Sequence, residues 1–552
     1  METPPLSFTG RRWRTRSGED CDALPCPADA GSILSALVAA RGIPAAEGLI
    51  EPLLPPQVFP DMGRAVERIE RASAAGEHIG VFGDYDCDGV TATALLVRCL
   101  RRRGIEPWIR LPHRSHDGYG LRPAIAEECI AAGVTLLITV DTGITAVEAV
   151  ALLAERGVDV IVTDHHHVGE ELPPAFALVH PALAPNHPLP HPSGAGVALQ
   201  LVRGIERAGS WNGIAEDLAL AAIGTVADLV ELRGGNRTLV IKGLQALAHL
   251  PHGPLAAFIQ GTGVTADIRS TDIAFRIAPR INAAGRLDDP MLALSALLEG
   301  GEAADRLEAL NVQRQKRTED LLEHALEHVD TASPFLCIAD ELFHPGIVGL
   351  IAGKLTEQFG RPSLVASIED GVCTASLRSP PGYHIAEGIG LCSDLLLTHG
   401  GHAQAAGCSF AHEHFATLAG RLNAHVKASV DPASLEPLIA IDAVLDPALI
   451  RLNLCTDLDR LEPFGQGNPE PRFLLRDVRL EQVRGVGAEG AHLQARIGGI
   501  KAIGFRLGNL LAAVDQPVDL VCRIGIDTWM GARAPQVYIE DIRVSKAQVV
   551  RV

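Results

Sequence analysis

The sequence predicts an α/β protein: a parallel-sheet domain joined by a long helix to a second α/β domain, and then a C-terminal β-barrel domain. Three observations predict it. Between residues 79 and 163, short apolar runs alternate with amphipathic segments, the pattern of a parallel sheet with helical crossovers. Residues 302–333 contain neither Gly nor Pro, and Leu307, Leu310, Leu321, Leu322, Ala325 and Val329 give them a partial helical stripe. After residue 490, short strand-like runs at 492–497, 501–505, 518–524 and 536–544 are separated by turns, as in a small barrel.

Taken in order, residues 1–60 read as an N-terminal arm and lead-in, with a short helix at 33–40 followed by Pro44, Pro52, Pro55, Pro56 and Pro60. Residues 61–300 read as the first domain. It opens with a helix over 62–75, a strand at 79–82, a helix over 90–100 and a strand at 107–111. Further strands follow at 135–140 and 158–163, and the alternation runs to about residue 177. The stretch 181–192 holds five prolines, so it is a loop, and its His187 and His191 read as loop residues rather than ligands. Mostly helical sequence follows. Residues 301–333 form the connection, either one helix roughly 48 Å long or two helices bent near 313–316. Residues 334–436 read as the second α/β domain, with strands at 335–339 and 364–368, and residues 437–552 as the strand-rich domain.

The chemistry concentrates at strand ends. The first strand runs into Gly83-Asp84-Tyr85-Asp86-Cys87-Asp88-Gly89, three carboxylates within five residues. Packed acids repel one another unless cations offset the charge, so a divalent-metal site is the economical reading, against a solvated acidic turn. The strand at 135–140 ends in Asp141-Thr142-Gly143, and that at 158–163 in Asp164-His165-His166-His167. In a parallel sheet these ends share one edge, where open α/β sheets bind ligands. Asp228 interrupts an apolar stretch and needs a partner there. These residues supply enough O and N ligands for two cations such as Mg²⁺ or Mn²⁺.

Composition sets outer limits. A 552-residue chain with 47% hydrophobic and 21% charged residues predicts a folded protein of several domains. No apolar run reaches membrane-span length, and Met1 to Arg16 lack a signal-peptide core, so a cytoplasmic protein is expected. Eleven cysteines without a Cys-x-x-Cys pair predict reduced thiols rather than a zinc or disulfide framework. The formal charge of −19 argues against a polyanion partner. Bound cations and local arginine clusters soften that argument: Arg11, Arg12, Arg14 and Arg16 around Trp13, Arg101 to Arg103, and Arg314, Lys316 and Arg317. A basic groove on an acidic body is expected.

The order Asp-Tyr-Asp-Cys-Asp-Gly, Asp-Thr-Gly, Asp-His-His and a later Asp resembles the DHH phosphoesterase superfamily. Five further motifs narrow the resemblance to its RecJ branch of exonucleases with a DHHA1 domain. They are Pro279-Arg280-Ile281-Asn282-Ala283-Ala284-Gly285-Arg286, Phe343-His344-Pro345-Gly346-Ile347-Val348-Gly349, Ser376-Leu377-Arg378-Ser379, Gly400-Gly401-His402-Ala403-Gln404-Ala405-Ala406-Gly407, and Phe464-Gly465-Gln466-Gly467-Asn468-Pro469-Glu470-Pro471.

The resemblance implies a single-stranded-DNA-specific 5′→3′ exonuclease that releases 5′-mononucleotides by two-metal hydrolysis, in recombination and repair. On this pattern Asp86, Asp88, Asp141, His165 and Asp228 are ligands of Mg²⁺ or Mn²⁺. Asp84 is a ligand or lies just behind one, and Asp141 bridges. Asp164 is expected to orient His165, and His166 to contact the scissile phosphate. A 5′-phosphate calls for forked cations and backbone donors, for which Arg280, Arg378 and Ser376 are candidates, with Arg114, His402, Gly400 and Gly401 in support. A packing ion pair is the alternative for Arg280. The C-terminal barrel is expected to be an OB-fold, in which Phe473, Phe505, Trp529 and Tyr538 could stack on bases. A cleft between two lobes would admit one strand and exclude a duplex. A monomer working with single-strand-binding protein and a helicase is the family expectation. An oligoribonuclease or small-nucleotide phosphodiesterase, and a non-catalytic DNA-clamping replication factor, are the alternatives.

Overall fold

The computed structural model describes residues 7–41, 52–114, 116–207, 214–264, 267–431, 435, 437–528 and 533–545. The chain forms two compact units. One comprises residues 46–317 with 463–469; the other comprises 1–45, 318–462 and 470–552.

The N-terminal residues hold the first surprise. Within the segment read as an arm, Arg12–Thr15 form a strand, β1. Trp13 is buried, its indole N–H donates to Asp541 at 2.9 Å, and the Arg543 guanidinium lies 4.4 Å from its ring. Among the clustered arginines, Arg16 pairs with Asp442. The predicted short helix is present as Ala30–Arg41.

In the unit built on residues 46–317, helix Met62–Ala75 precedes a five-stranded sheet. Its strands are β2 (Ile79–Phe82), β3 (Trp108–Arg110), β4 (Leu136–Val140), β5 (Asp159–Thr163) and β6 (Ala177–Val179), in the order β3-β2-β4-β5-β6, all parallel. The strands read as unbroken apolar runs because both faces are covered. Ile79, Val81, Leu136, Ile138, Val140 and Ile161 face one core, shared with helices Cys87–Arg102, Gly194–Ile205 and Ala215–Ala227. Phe82, Leu137, Val160 and Val162 face the other, against Ile125, Cys129, Val150 and Leu153. Arg101 and Arg102, read as part of a basic surface, are in ion pairs with Glu106, and with Glu206 and Asp217.

The predicted connection is one helix, Glu302–His328, not two. It has 27 residues, shorter than the Gly- and Pro-free stretch, and the chain passes from one unit to the other within it.

In the other unit, β7 (Leu336–Asp340), β8 (Ser363–Glu369), β9 (Val372–Arg378), β10 (Thr398–Gly401) and β11 (Ala405–Ala411) form a sheet ordered β10-β11-β9-β8-β7. One face packs Leu364, Ala375, Leu377 and Phe410 against Ile385, Leu418 and Leu422. β12 (Leu438–Ile441) pairs in parallel with β1, which ties the N-terminal residues to the C-terminal domain. That domain is a seven-stranded sheet of β13 (Ala443–Val444), β14 (Phe473–Val478), β15 (Glu481–Val486), β16 (His492–Ile497), β17 (Ile500–Gly504), β18 (Val518–Asp527) and β19 (Ala534–Val544). The order is β13-β14-β18-β19-β17-β16-β15. Of the proposed stacking residues, Phe473 is fully buried, Tyr538 is half-buried near Arg523 and Phe505 is exposed. Trp529 lies outside the described residues. Among the described residues no helix is long and apolar enough to cross a membrane.

Since Trp13 is a core residue of the C-terminal domain, Trp13→Ala should destabilise that domain by about 3–5 kcal/mol. A denaturant titration following the domain's unfolding checks this. An unchanged midpoint would mean that the arm is not structural.

Candidate metal centre

Sheet register builds the site. β2, β4 and β5 are parallel neighbours, so the residues after Phe82, Val140 and Thr163 leave the sheet side by side. Asp86 caps helix Cys87–Arg102, its carboxylate accepting from the Gly89 N–H at 3.0 Å. Asp84 accepts from the Tyr85 N–H at 2.7 Å. Asp88 lies in the helix's first turn and accepts from the N–H groups of Gly194 and Ala195, at 2.7 and 3.0 Å. Those two residues open helix Gly194–Ile205, whose amino end favours an anion. Asp141 takes a left-handed φ of 60°. Two glycines make room for these acids. A Cβ on Gly194 would fall 2.2 Å from Asp141 Oδ1, and one on Gly224 would fall 2.3 Å from Asp88 Oδ1.

His165 Nε2 stands at the centre, 3.2 Å from Asp141 Oδ1, 3.6 Å from Asp228 Oδ2 and 3.9 Å from Asp88 Oδ2. Among the described residues at these strand ends, three groups of potential ligand atoms each fall within 4.8 Å of one another: Asp84, Asp86 and Asp141; Asp88, His165 and Asp228; and Asp141, His165 and His166. Asp141 Oδ1 and His165 Nε2 are buried, and among the described residues neither has a hydrogen-bond partner. Two orphaned lone-pair donors beside a ring of carboxylates fit hard divalent cations. Asp141 belongs to two of the groups, which suits a shared ligand.

Burial and mutual repulsion dominate the electrostatics. Burial, then the charge of Asp86, pushes Asp84 up to about 8 and Asp88 to about 7. Burial with the charges of Asp88 and Asp86 takes Asp228 to about 9 and raises Asp141 well above its ordinary value. Burial and the neighbouring His166 hold His165 down to about 4, so its ring is neutral and able to ligate. His166 goes the other way. Burial opposes its charge, but the bond to Asp164 and that residue's charge outweigh burial and lift it to about 9.

Asp164 therefore requires a correction. It was expected to orient the His165 ring. Its Oδ1 instead accepts from His166 Nδ1 at 2.7 Å, and it meets His165 only through that residue's main-chain N–H. With Oδ2 accepting from the Ile144 N–H as well, Asp164 is held down to about 2: burial opposes its charge, but the His166 bond and charge and these main-chain donors outweigh it. The ring it orients is that of His166, whose Nε2 lies 3.0 Å from the Tyr119 hydroxyl. His167 is exposed. His187 and His191 lie in a loop, as expected.

Arg280 also departs from its expected role. Its guanidinium is engaged by both carboxylate oxygens of Glu308 and by the Arg276 carbonyl, so the packing ion pair is the observed state. Its motif acts through other members. Asn282 Oδ1 accepts from the Cys87 N–H at 2.9 Å, and Gly285 lets the Tyr85 carbonyl come within 2.5 Å of where a Cβ would stand. Arg114 does lie beside the acids. It stacks 4.3 Å from the Tyr85 ring centroid and donates to the Gly285 carbonyl.

The remaining candidates lie in the other unit. Ser376 pairs across the sheet with Gly407, which pairs with Gly400, while Arg378 pairs with Ala405, to whose carbonyl the His402 N–H donates. Ser376, Arg378, Gly400 and His402 thus share the sheet face opposite the apolar one, with Gly401 between the last two. Arg378 Nη1 donates to Ser376 Oγ at 2.9 Å.

Sequence reading missed Tyr119, Asn282 and the Ser193-Gly194 helix start. Ser193 before an apolar run was a legible cap signal, and Asn282 stood inside a motif read for its arginines. Tyr119 carried no signal.

The raised carboxyls make stability depend on pH and metal. A carboxyl whose folded pKa is raised contributes fully below its unfolded value of 3.8 and loses that contribution as pH rises through the folded values of about 7 to 9. The melting temperature of metal-free protein should therefore fall between about pH 5 and pH 9, and Mn²⁺ should raise it more at the alkaline end. Thermal melts with and without Mn²⁺ check this, and a metal effect independent of pH would contradict the arrangement.

Comparison with known proteins gives three family matches: the DHH family N-terminal domain over residues 78–225, the DHHA1 domain over 333–428 and the RecJ OB domain over 441–541. The single-stranded-DNA-specific exonuclease RecJ of Escherichia coli K12 is 33% identical over 96% of this chain and 98% of its own length. Its Bacillus subtilis 168 counterpart is 32% identical over 88% of this chain, which spans 64% of that longer protein. The crystal structure of RecJ from Thermus thermophilus in complex with Mn²⁺ superposes with a TM-score of 0.84 at 33% identity, covering 98% of this chain and 80% of that one. With this coverage and with the acids, imidazoles and glycines at the strand ends, the chain belongs to the RecJ family of single-stranded-DNA-specific exonucleases.

Proposed function

We propose that this chain is a metal-dependent exonuclease that degrades single-stranded DNA from its 5′ end to 5′-mononucleotides, in recombination and repair. The observation that carries the proposal is the set of three ligand groups joined through Asp141 and His165. In this reading residues 61–300 form the catalytic domain, 334–436 bind substrate and 437–552 bind the strand.

Asp84, Asp86, Asp88, Asp141, His165 and Asp228 would hold two divalent cations, which when bound lower the pKa of water and stabilise charge on phosphate oxygens. The chain's own groups do the rest. Asp164 fixes the angle of His166 and keeps it protonated near neutral pH, so its Nε2–H, which meets the Tyr119 hydroxyl at 3.0 Å, would turn to a phosphate oxygen when a strand is bound. Tyr119, bonded to that nitrogen, and Arg114, held over Tyr85, add donors on the same side. In the other unit, Arg378 and Ser376 with the backbone of Gly400 and Gly401 would take the terminal 5′-phosphate. Arg280 leaves that group because Glu308 occupies it.

The alternatives are weaker here. A non-catalytic clamp has no need for a cluster of buried, mutually repelling ligands. A small-nucleotide phosphodiesterase has no need for the C-terminal sheet.

Single strands labelled at the 5′ or the 3′ end test the reading. Mononucleotide should appear at once from the 5′ label only, EDTA should stop its release, and Asp141→Ala should abolish it without unfolding the protein. Release from the 3′ label, or turnover by Asp141→Ala near the unaltered rate, would contradict it. Arg378→Ala should cost about ten- to a hundredfold on 5′-phosphorylated strands and far less on 5′-hydroxyl strands. Equal losses on both would remove Arg378 from end recognition.

A further inference from the structure

Asp228 differs from the other acids in how it is held. Asp84, Asp86, Asp88 and Asp164 each accept main-chain N–H groups, and Asp141 is wedged against Gly194. Among the described residues, the Asp228 carboxylate accepts no hydrogen bond and is a quarter exposed. Its position depends on its main chain. That chain is the C-terminal end of helix Ala215–Ala227, which turns left-handed at Leu229 (φ 59°) and runs on to helix Gly234–Leu247.

The loop after Asp228 is gripped by residues from far along the chain. Residues 463–469 leave the C-terminal unit, belong to the catalytic unit for seven positions, and return. The Leu232 N–H donates to the Gln466 carbonyl at 2.8 Å, and Arg233 Nε to the Gly467 carbonyl at 3.0 Å, 234 positions away. Ser270 Oγ donates to the Phe464 carbonyl at 2.6 Å, fixing the segment at its other end.

The segment is itself rigid. Gly465 and Asn468 exchange main-chain hydrogen bonds, and buried Asn468 also donates from Nδ2 to the Pro463 carbonyl at 2.9 Å. Both glycines are required. A Cβ on Gly465 would stand 2.7 Å from Leu232 Cδ1. Gly467 has φ +74°, and a Cβ there would meet Glu231 at 3.0 Å.

We infer that residues 463–469 are a clasp that positions Asp228 for its cation, with Gly467 and Ser270 as positioning residues. The inference rests on Asp228 being a metal ligand, as proposed above. The clasp acts on the main chain that carries the ligand and touches neither metal nor substrate. Loosening it weakens the cation on the Asp88, His165 and Asp228 side more than the one on the Asp84 and Asp86 side, with Asp141 shared between them.

Mn²⁺ titration of the full chain without DNA, followed by electron paramagnetic resonance of free Mn²⁺, tests this on Gly467→Ala, Ser270→Ala and Asp228→Ala. Metal-free thermal melts at acid pH serve as the control for folding. Asp228→Ala should remove one of two Mn²⁺ sites. The two clasp variants should weaken that same site roughly tenfold and leave the other site unchanged, in protein that the metal-free melt shows to be folded. Ser270→Ala decides if Gly467→Ala fails to fold. Unaltered Mn²⁺ binding in a folded clasp variant, with a site lost in Asp228→Ala, would overturn the clasp alone. Unaltered binding in Asp228→Ala would overturn the ligand reading and the clasp with it.

Discussion

Repulsion among buried carboxylates is the constraint from which the rest of this structure follows. Asp84, Asp88 and Asp141 are almost fully removed from water, and Asp86 and Asp228 stand close by. Such charges are costly in a low-dielectric interior unless they are paired or coordinated. Among the described residues none of them forms an ion pair with arginine or lysine, and Arg114 acts on Asp84 only from a distance. The fold surrounds them with main-chain N–H groups, a helix amino end, two glycines that admit the oxygens, and one neutral imidazole. Each device places acids where a cation can reach them, and none supplies a full compensating charge.

A second layer of residues fixes this arrangement, and it comes from distant parts of the chain. Asn282 holds the turn that carries the first acids, Asp164 fixes the angle of His166, and residues 463–469 grip the loop behind Asp228. The two imidazoles of one Asp-His-His run thereby receive opposite electrostatics. Burial keeps His165 neutral, while the bond to Asp164 keeps His166 cationic. Adjacent residues can thus serve as ligand and as phosphate donor without competing.

What the sequence made legible follows from range. The three acid-bearing turns were readable because each sits directly after a buried apolar strand, and a parallel sheet brings consecutive strand ends together whatever else the chain does. The single helix Glu302–His328 was readable from the absence of Gly and Pro. The failures all concern partners chosen by tertiary approach. Nothing local reveals that Arg280 meets Glu308, or that Trp13 donates to an aspartate 528 positions away and so turns an apparently basic arm into a core strand. Asp164 was assigned to the wrong imidazole because both follow it in sequence, and only χ angles set by packing decide which ring returns to the carboxylate. The Phe464 motif was recognised as a marker, but its task became visible only with Leu232, Arg233 and Ser270 beside it.

The central claim is that one carboxylate, Asp141, joins two cation sites. Anomalous diffraction at the manganese edge from crystals grown with Mn²⁺ addresses it most directly. The account predicts two peaks, each about 2.0–2.4 Å from an Asp141 oxygen, one beside Asp84 and Asp86 and the other beside His165 and Asp228. A single peak, or two peaks of which either lies out of reach of Asp141, would contradict it.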